Sequence, residues 1–263
     1  YGKLDATDEE IEALINDLRE LQDKMVVVAA PAGKKDAVEK YINNVFSEEV
    51  GSKIFAYLGI PTQETFLAKY YVGEKEKIVV VCKDFRPEGS RLIEAGTMGL
   101  SNVESGKKMT HSIEDVEYFI ASLKTDDANK QKFLQKFWEI FVVDTLLGNV
   151  DRHLGNWGFL IDRDDNYEFA PVYDCGSTLA PLDSDKELAE LLQDETELKN
   201  RAYNLYPVYT LNNQKIPYHE FYRRNIDELN KAVVKLVPRM NVAEIDNIID
   251  NTQIGSSCHT NFL

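Results

Sequence analysis

The sequence predicts an α+β protein of two lobes, a small mixed lobe followed by a larger, mainly helical one. Three observations predict it. Helical patterning alternates with β-branched runs through residue 89, and amphipathic or wholly apolar helical patterns dominate from residue 90 onward. The helical half is interrupted once, by two short apolar runs flanking Asp164, Asp165 and Asn166, which reads as a hairpin. At 263 residues, 43% of them hydrophobic, the chain is long enough to bury a substantial core. The expected boundaries are 1–89 for the first lobe, with an atypical or truncated start, and 90–263 for the second.

Each element has its own warrant. "TDEEIEALINDLRELQDK" opens with a capping box, Thr7 and Glu10, and aligns Ile11, Leu14, Ile15, Leu18 and Leu21 on one helical face. "MVVVAAP", Met25 to Pro31, reads as a short strand ended by proline. Asp36 to Leu58 carries one or two helices closed by Gly59 and Pro61. "TFLAKYYV" and "KIVVVCKDF" form strands joined through "GEKEK". "RPEGS", Arg86 to Ser90, is the expected linker. "SIEDVEYFIASLK" is an amphipathic helix with an acidic first turn. "NKQKFLQKFWEIFVVDTLLG" is apolar nearly all round toward its end and belongs at the centre. "WGFLID" and "YEFAPVYD" make the hairpin, and three further helical stretches follow, the last being "NVAEIDNIIDNT".

A net charge of −15 disfavours nucleic acid and anionic membrane surfaces as partners, because both need a basic face. No apolar run approaches the ~20 residues that span a bilayer, and the start is polar and acidic rather than a secretory signal. The expectation is a cytoplasmic protein without a membrane span. Beginning at Tyr1 rather than Met, the sequence leaves room for an upstream segment. Cys82, Cys175 and Cys258 lack a disulfide rhythm and read as reduced thiols; Cys258 with His259 has no second pair to complete a metal site.

One polar stretch stands out. "DTLLGNVDRHLGNWGFL" follows the most apolar helix, and polar groups at the edge of a core must be paired or put to use. Asp151 and Asn156 are five residues apart in it, and Asp174 closes the hairpin in "PVYDCGS". Folding the hairpin back brings Asp174 toward Asn156. An amide oxygen and a carboxylate suit a hard cation such as Mg2+ that keeps waters and phosphate oxygens, and a separate Asp can accept a hydroxyl proton during phosphoryl transfer. Either motif alone is commonplace, and only the combination carries weight. His153 alone reads more plainly as a packing histidine that orients a backbone carbonyl.

"LLGNVDRHLGNWGF" with "PVYDCGS" resembles the HipA-like serine/threonine kinases of bacteria, whose fold is similar to that of phosphatidylinositol kinases and protein kinases. "FSEEVGSKIFAYLGIPTQET" is similar to that family's small-lobe helix, and "KIVVVCKDF" to its last small-lobe strand and hinge. The resemblance implies a two-lobed protein-kinase-like fold using ATP and Mg2+. It implies Asp151 as catalytic base, with His153 beside it in the candidate catalytic set, and Asn156 and Asp174 as metal ligands. Glu48, with Glu49 as the alternative, matches the helix acid that pairs with a phosphate-binding lysine. Cys82, Lys83, Asp84 and Phe85 would frame the adenine, Lys83 and Phe85 lining the slot. It further implies a protein substrate with a Ser/Thr acceptor and the possibility of an antitoxin-like partner.

The pattern departs from the family in the first lobe. Ala29 stands where the lysine is expected, Lys34 and Lys35 being the substitutes against the plainer reading of two exposed lysines. An acidic helix occupies the place of a phosphate-covering loop. Two other functions stay open on this ground: an impaired pseudokinase acting as a binding module, and a lipid or small-molecule kinase.

Overall fold

A computed structural model of the chain describes residues 6–28, 42–102, 109–183 and 185–252. The two-lobed α+β class is what it shows. The smaller lobe is one helix, α2 (Ile42–Tyr57), laid on an antiparallel hairpin of β1 (Thr65–Val72) and β2 (Lys75–Cys82). Thr65 pairs with Cys82 and Val72 with Lys75, so the turn is only Gly73-Glu74, tighter than the five residues expected. Gly73 has φ +62°, a left-handed conformation that glycine takes without cost. Leu67 and Ala68 are buried, while Phe66, Tyr70 and Tyr71 are exposed.

The larger lobe is built around α5 (Asp127–Leu147), whose last half is buried without interruption from Phe137 to Leu147. Asp126 caps its start by accepting from the Asn129 N–H at 2.8 Å, and Gly148 ends it in the left-handed conformation, φ 64°. Against it pack α4 (Ile113–Ser122), the N-terminal α1 (Asp8–Val28) and α9 (Asp227–Leu236). Leu229, Ala232, Val233 and Leu236 of α9 are all fully buried at this contact. Helices α6 (Asp185–Leu191), α7 (Glu195–Tyr203), α8 (Tyr218–Phe221) and α10 (Val242–Asp250) complete the lobe.

Four differences from the sequence reading have physical causes. Met25–Val28, expected as strand, continues α1: neither Gly nor Pro interrupts Asp8 to Val28, and a short apolar run cannot be told from helix by periodicity. Ala29, Lys34, Lys35, Cys258 and His259 lie outside the described residues. Second, α1 was grouped with the first lobe, yet Ile11, Ile15 and Leu18 are buried against α5, α7 and α9 of the second. Its capping box is present, Thr7 N–H donating to Glu10 Oε2 at 2.7 Å and Glu10 N–H to Thr7 Oγ1 at 3.2 Å. Third, a strand and helix went unread, β3 (Arg91–Glu94) and α3 (Ala95–Asn102). Strand β3 is the edge of a three-stranded antiparallel sheet, β3-β4-β5, with β4 (Gly158–Ile161) central and β5 (Tyr167–Phe169) outside. Gly158 makes that edge possible, since a Cβ there would lie 2.2 Å from the Ile93 carbonyl oxygen. Fourth, Leu192, Gln193 and Asp194 divide the run read as one helix into α6 and α7, Asp194 capping the latter.

Among the described residues no helix is long and apolar enough to cross a membrane.

Candidate active site

The end of α5 dictates the site. Asp144 sits inside its apolar stretch, 1% exposed, and a buried carboxylate must be paired. Its partner is Arg152, 3% exposed, through Nε to Oδ2 at 2.9 Å and Nη2 to Oδ1 at 3.1 Å, a two-pronged pair. Asn149 Nδ2 donates to the same Oδ1 at 2.8 Å. The loop after α5 is therefore folded over a buried ion pair.

Arg152 also reaches outward. Its Nη1 lies against three backbone carbonyls: Asn156 O at 3.1 Å, Asp174 O at 3.0 Å, and Tyr173 O. One guanidinium thus joins the Asp151–Asn156 loop to the Asp174-Cys175-Gly176 segment. These two segments are 18 residues apart at their near ends but meet on a single nitrogen.

The three residues expected to do chemistry are presented differently. Asp151 is held by its backbone, its N–H donating to Asn149 Oδ1 at 3.0 Å and its carbonyl accepting from Asn156 Nδ2 at 2.9 Å and from the His153 N–H at 2.7 Å. Its carboxylate is exposed and has no partner among the described residues. Asn156 is buried and uses its Nδ2 on that loop contact, which leaves Oδ1 for another ligand. Asp174 is exposed at φ 57°, an unfavourable conformation for a residue with a side chain and one that collects at functional sites. An amide oxygen and a free carboxylate fit a hard cation that completes its shell with water and phosphate oxygens. Among the described residues no three His, Cys, Asp or Glu side chains gather as an all-protein metal site.

His153 is placed as a loop brace. Its Nδ1 accepts the Gly155 N–H at 3.0 Å, so that nitrogen is unprotonated, and a Cβ on Gly155 would strike the ring at 2.9 Å. Tyr173 donates from its hydroxyl to Gly155 O at 3.1 Å and stacks on Phe85, ring centroids 5.9 Å apart.

Helix α2 brings Glu48 to the same place. Glu48 accepts hydrogen bonds from the backbone N–H groups of Cys175 and Gly176. Its Oε1 is buried with no partner among the described residues. Burial, then the nearby Asp174 charge, raises its pKa, the backbone bonds and Arg152 acting the other way. Glu49 is committed elsewhere, to Lys53 Nζ at 2.8 Å. Burial followed by the carboxylates of Glu48, Glu49 and Asp174 also raises the Cys82 pKa, which sets the end of β2 beside this acidic group. Cys175 is fully buried and its thiol is pushed up to about 12, chiefly by burial, so it stays neutral.

The expected hinge is only partly available. Lys83 Nζ pairs with Glu64 at 2.8 Å, its N–H donates to Glu64 O at 2.9 Å, and its carbonyl accepts from Gln63 Nε2 at 2.9 Å. Residues 63–64 thus engage the Lys83 side chain and both of its backbone groups. Asp84 is bound by Arg86, which holds its carboxyl at about 2. Phe85, also in the stretch expected as the hinge, stacks on Tyr173.

Gly51 sets how closely α2 approaches. A Cβ there would lie 2.8 Å from Cys175 Cβ and 3.2 Å from Thr178 Oγ1, and Thr178 in turn donates to Ser47 O at 3.2 Å. Gly51→Ala is expected to cost roughly 1–3 kcal/mol by overpacking, read as a lower urea midpoint. An unchanged midpoint would mean that α2 is not tightly packed on this segment.

Sequence reasoning missed Asp144, Asn149 and Arg152. The signal was available: an acid near the end of the apolar run of α5 and an arginine eight residues later.

The sequence model of the HipA-like C-terminal domain matches residues 20–247. The chain is 38% identical over 231 residues to the serine/threonine-protein kinase CtkA of Helicobacter pylori, covering 85% of this chain and 68% of that protein. It is also similar to the crystal structure of the Helicobacter pylori proinflammatory kinase CtkA, with a TM-score of 0.74 and 36% identity over 81% of this chain and 75% of that one.

Proposed function

The chain belongs to the HipA-like family, and from that premise we propose that it is an ATP-dependent kinase transferring phosphate to a serine or threonine of a protein. The observation that carries this reading is the Arg152 guanidinium, which gathers the Asp151–Asn156 loop and the Asp174 segment while leaving the Asp151 carboxylate and the Asn156 Oδ1 unengaged. Asp151 accepts the proton of the attacking hydroxyl. Asn156 and Asp174 would hold Mg2+, whose charge would offset that of the phosphates. Asn149 and Arg152 fix these groups in place beforehand, and for phosphoryl transfer positioning and charge are most of the catalysis. Glu48 anchors the Cys175-Gly176 backbone from the other lobe, and Phe85 borders the nucleotide.

The test is transfer of label from γ-labelled ATP with Mg2+, beside nucleotide binding by Asp174→Ala. The parent is expected to incorporate label, and the variant to lose Mg2+-dependent nucleotide binding. Binding that survives Asp174→Ala unchanged would remove Asp174 from the metal site.

A second reading has one specific observation behind it. Glu48 Oε1 is buried with no hydrogen-bond partner among the described residues, which fits a pseudokinase that binds nucleotide without transferring phosphate. Mg2+-dependent ATP binding with no label incorporated would select it.

A further inference from the structure

We propose that Arg239 is a positioning residue for the segment that carries Asp174: it fixes the far end of α2, and α2 in turn sets the Glu48 carboxylate on the Cys175-Gly176 backbone. The role of Asp174 as a metal ligand is the one proposed above; this inference rests on it and adds what holds that segment in place.

The end of α2 argues first. Ile60 N–H donates to Phe55 O at 3.0 Å and Gly59 N–H to Ala56 O at 2.9 Å, with Gly59 left-handed at φ +79°. This pair of bonds closes the helix and leaves its last carbonyls without helical donors. Arg239 Nη1 donates to one of them, Leu58 O, at 3.3 Å, and a guanidinium suits the negative end of a helix. Tyr57 returns the contact, its hydroxyl donating to Arg239 O at 2.9 Å. The clasp is reciprocal: Arg239 gives one hydrogen bond to α2 and takes one from it.

What holds Arg239 argues second. It ends the single turn Val237–Arg239, which continues α9 without a loop. Val237 is buried, and α9 packs on α5, the helix that leads into the Asp151 loop. From Leu58 back to Glu48, α2 runs about 15 Å at ~1.5 Å per residue. There Glu48 accepts from the Cys175 and Gly176 N–H groups, and a Cβ on Gly176 would lie 3.6 Å from Glu48 Oε2. The chain just past the clasp is tied to the same segment. Val172, in the run leading to Asp174, donates to Pro61 O at 2.8 Å and accepts from the Gln63 N–H at 2.8 Å.

A closed ring of elements results. It passes from α5 to α9, through Arg239 to α2, through Glu48 to the Asp174 segment, and through Arg152 back to the Asp151 loop at the end of α5. The small-lobe helix is thereby set by the large lobe, at the end away from the chemistry.

The experiment measures amide hydrogen exchange across residues 171–178 of the full chain, and affinity for ATP with Mg2+. The proteins are the parent, Arg239→Ala, Arg239→Lys, Tyr57→Phe, Glu48→Ala, and Glu48→Ala combined with Arg239→Ala. Arg239→Ala is expected to speed exchange at the Cys175 and Gly176 amides about fivefold or more, with the buried α9 amides of Ala232 and Val233 unchanged. Arg239→Lys keeps a donor for Leu58 O and is expected to restore most of the protection. Tyr57→Phe is expected to give a smaller change of the same sign. Affinity for ATP with Mg2+ is expected to fall about tenfold in Arg239→Ala, as for a residue behind a metal ligand. It should fall no further when Glu48→Ala is already present, because residues acting through one contact are not additive.

Unchanged exchange at Cys175 and Gly176 in Arg239→Ala overturns the inference, as does an affinity loss that multiplies in the double variant. If Arg239→Ala loses protection throughout α9, Tyr57→Phe decides on the same two amides, faster exchange supporting the inference and unchanged exchange overturning it. Exchange needs no nucleotide, so a parent that transfers no label removes the kinase reading while the two amides still decide the role of Arg239. Label that depends on Asp151, beside unchanged exchange, leaves the kinase reading standing and removes this inference alone.

Discussion

Asp151→Asn is expected to lower phosphate transfer by roughly 10²–10⁴-fold, the range that positioned general bases contribute, with no measurable change in thermal midpoint. The separation of the two effects follows from how Asp151 is held. Among the described residues its N–H and carbonyl make its hydrogen bonds, with Asn149, His153 and Asn156, and asparagine keeps both groups. Its carboxylate is exposed and unpaired among the described residues, so replacing it removes no bond to them. Nucleotide affinity is expected to hold as well, because the proposed metal ligands are Asn156 and Asp174. Single-turnover transfer measured beside a thermal melt checks this. Transfer within twofold of the parent would show that the base lies elsewhere.

Arg152→Met should have the larger effect on the fold, a loss of about 3–5 kcal/mol as for one partner removed from a buried ion pair. Methionine approximates the stem but leaves the Asp144 carboxyl, 1% exposed, with Asn149 Nδ2 as its one side-chain donor among the described residues. It also strips the shared donor from the carbonyls of Asn156, Tyr173 and Asp174. Each of those groups faces a desolvation cost if left unpaired. The double variant Asp144→Leu with Arg152→Met removes the stranded charge, and should recover part of the stability without recovering Mg2+-dependent nucleotide binding. Urea unfolding of the three proteins, with binding measured on each, tests it. Full recovery of binding in the double variant would show that the two loops meet without the guanidinium.

The sequence made some of this legible and hid the rest for identifiable reasons. Helix α5 and its Gly148 stop were plain from an apolar run closed by glycine, and the spacing of Asp151, Asn156 and Asp174 pointed to the loops that the structure brings together. The hairpin carrying Asp174 was read too long: pairing stops at Phe169, after which Pro171 interrupts and Val172 bridges to Thr62 instead. Strand β3 was missed because "RLIE" is too short to show a period and exists only by pairing with β4. Met25–Val28 misled because β-branched residues raise strand propensity, whereas an uninterrupted helix ahead of them carries them along. The roles of Arg152 and Asn149 were invisible for another reason. They are set by what lies across the fold, and local pattern does not reveal which carbonyls a guanidinium will reach.

The contact between Gly51 and Cys175 has an evolutionary consequence. With 2.8 Å between an imagined Cβ and Cys175 Cβ, the two positions share one fixed volume. Growth at position 51 is open only to lineages in which position 175 has already shrunk, and the reverse order passes through a clash. Divergence here is therefore paced by the pair, one residue of the small lobe and one of the Asp174-Cys175-Gly176 segment drifting as a single unit.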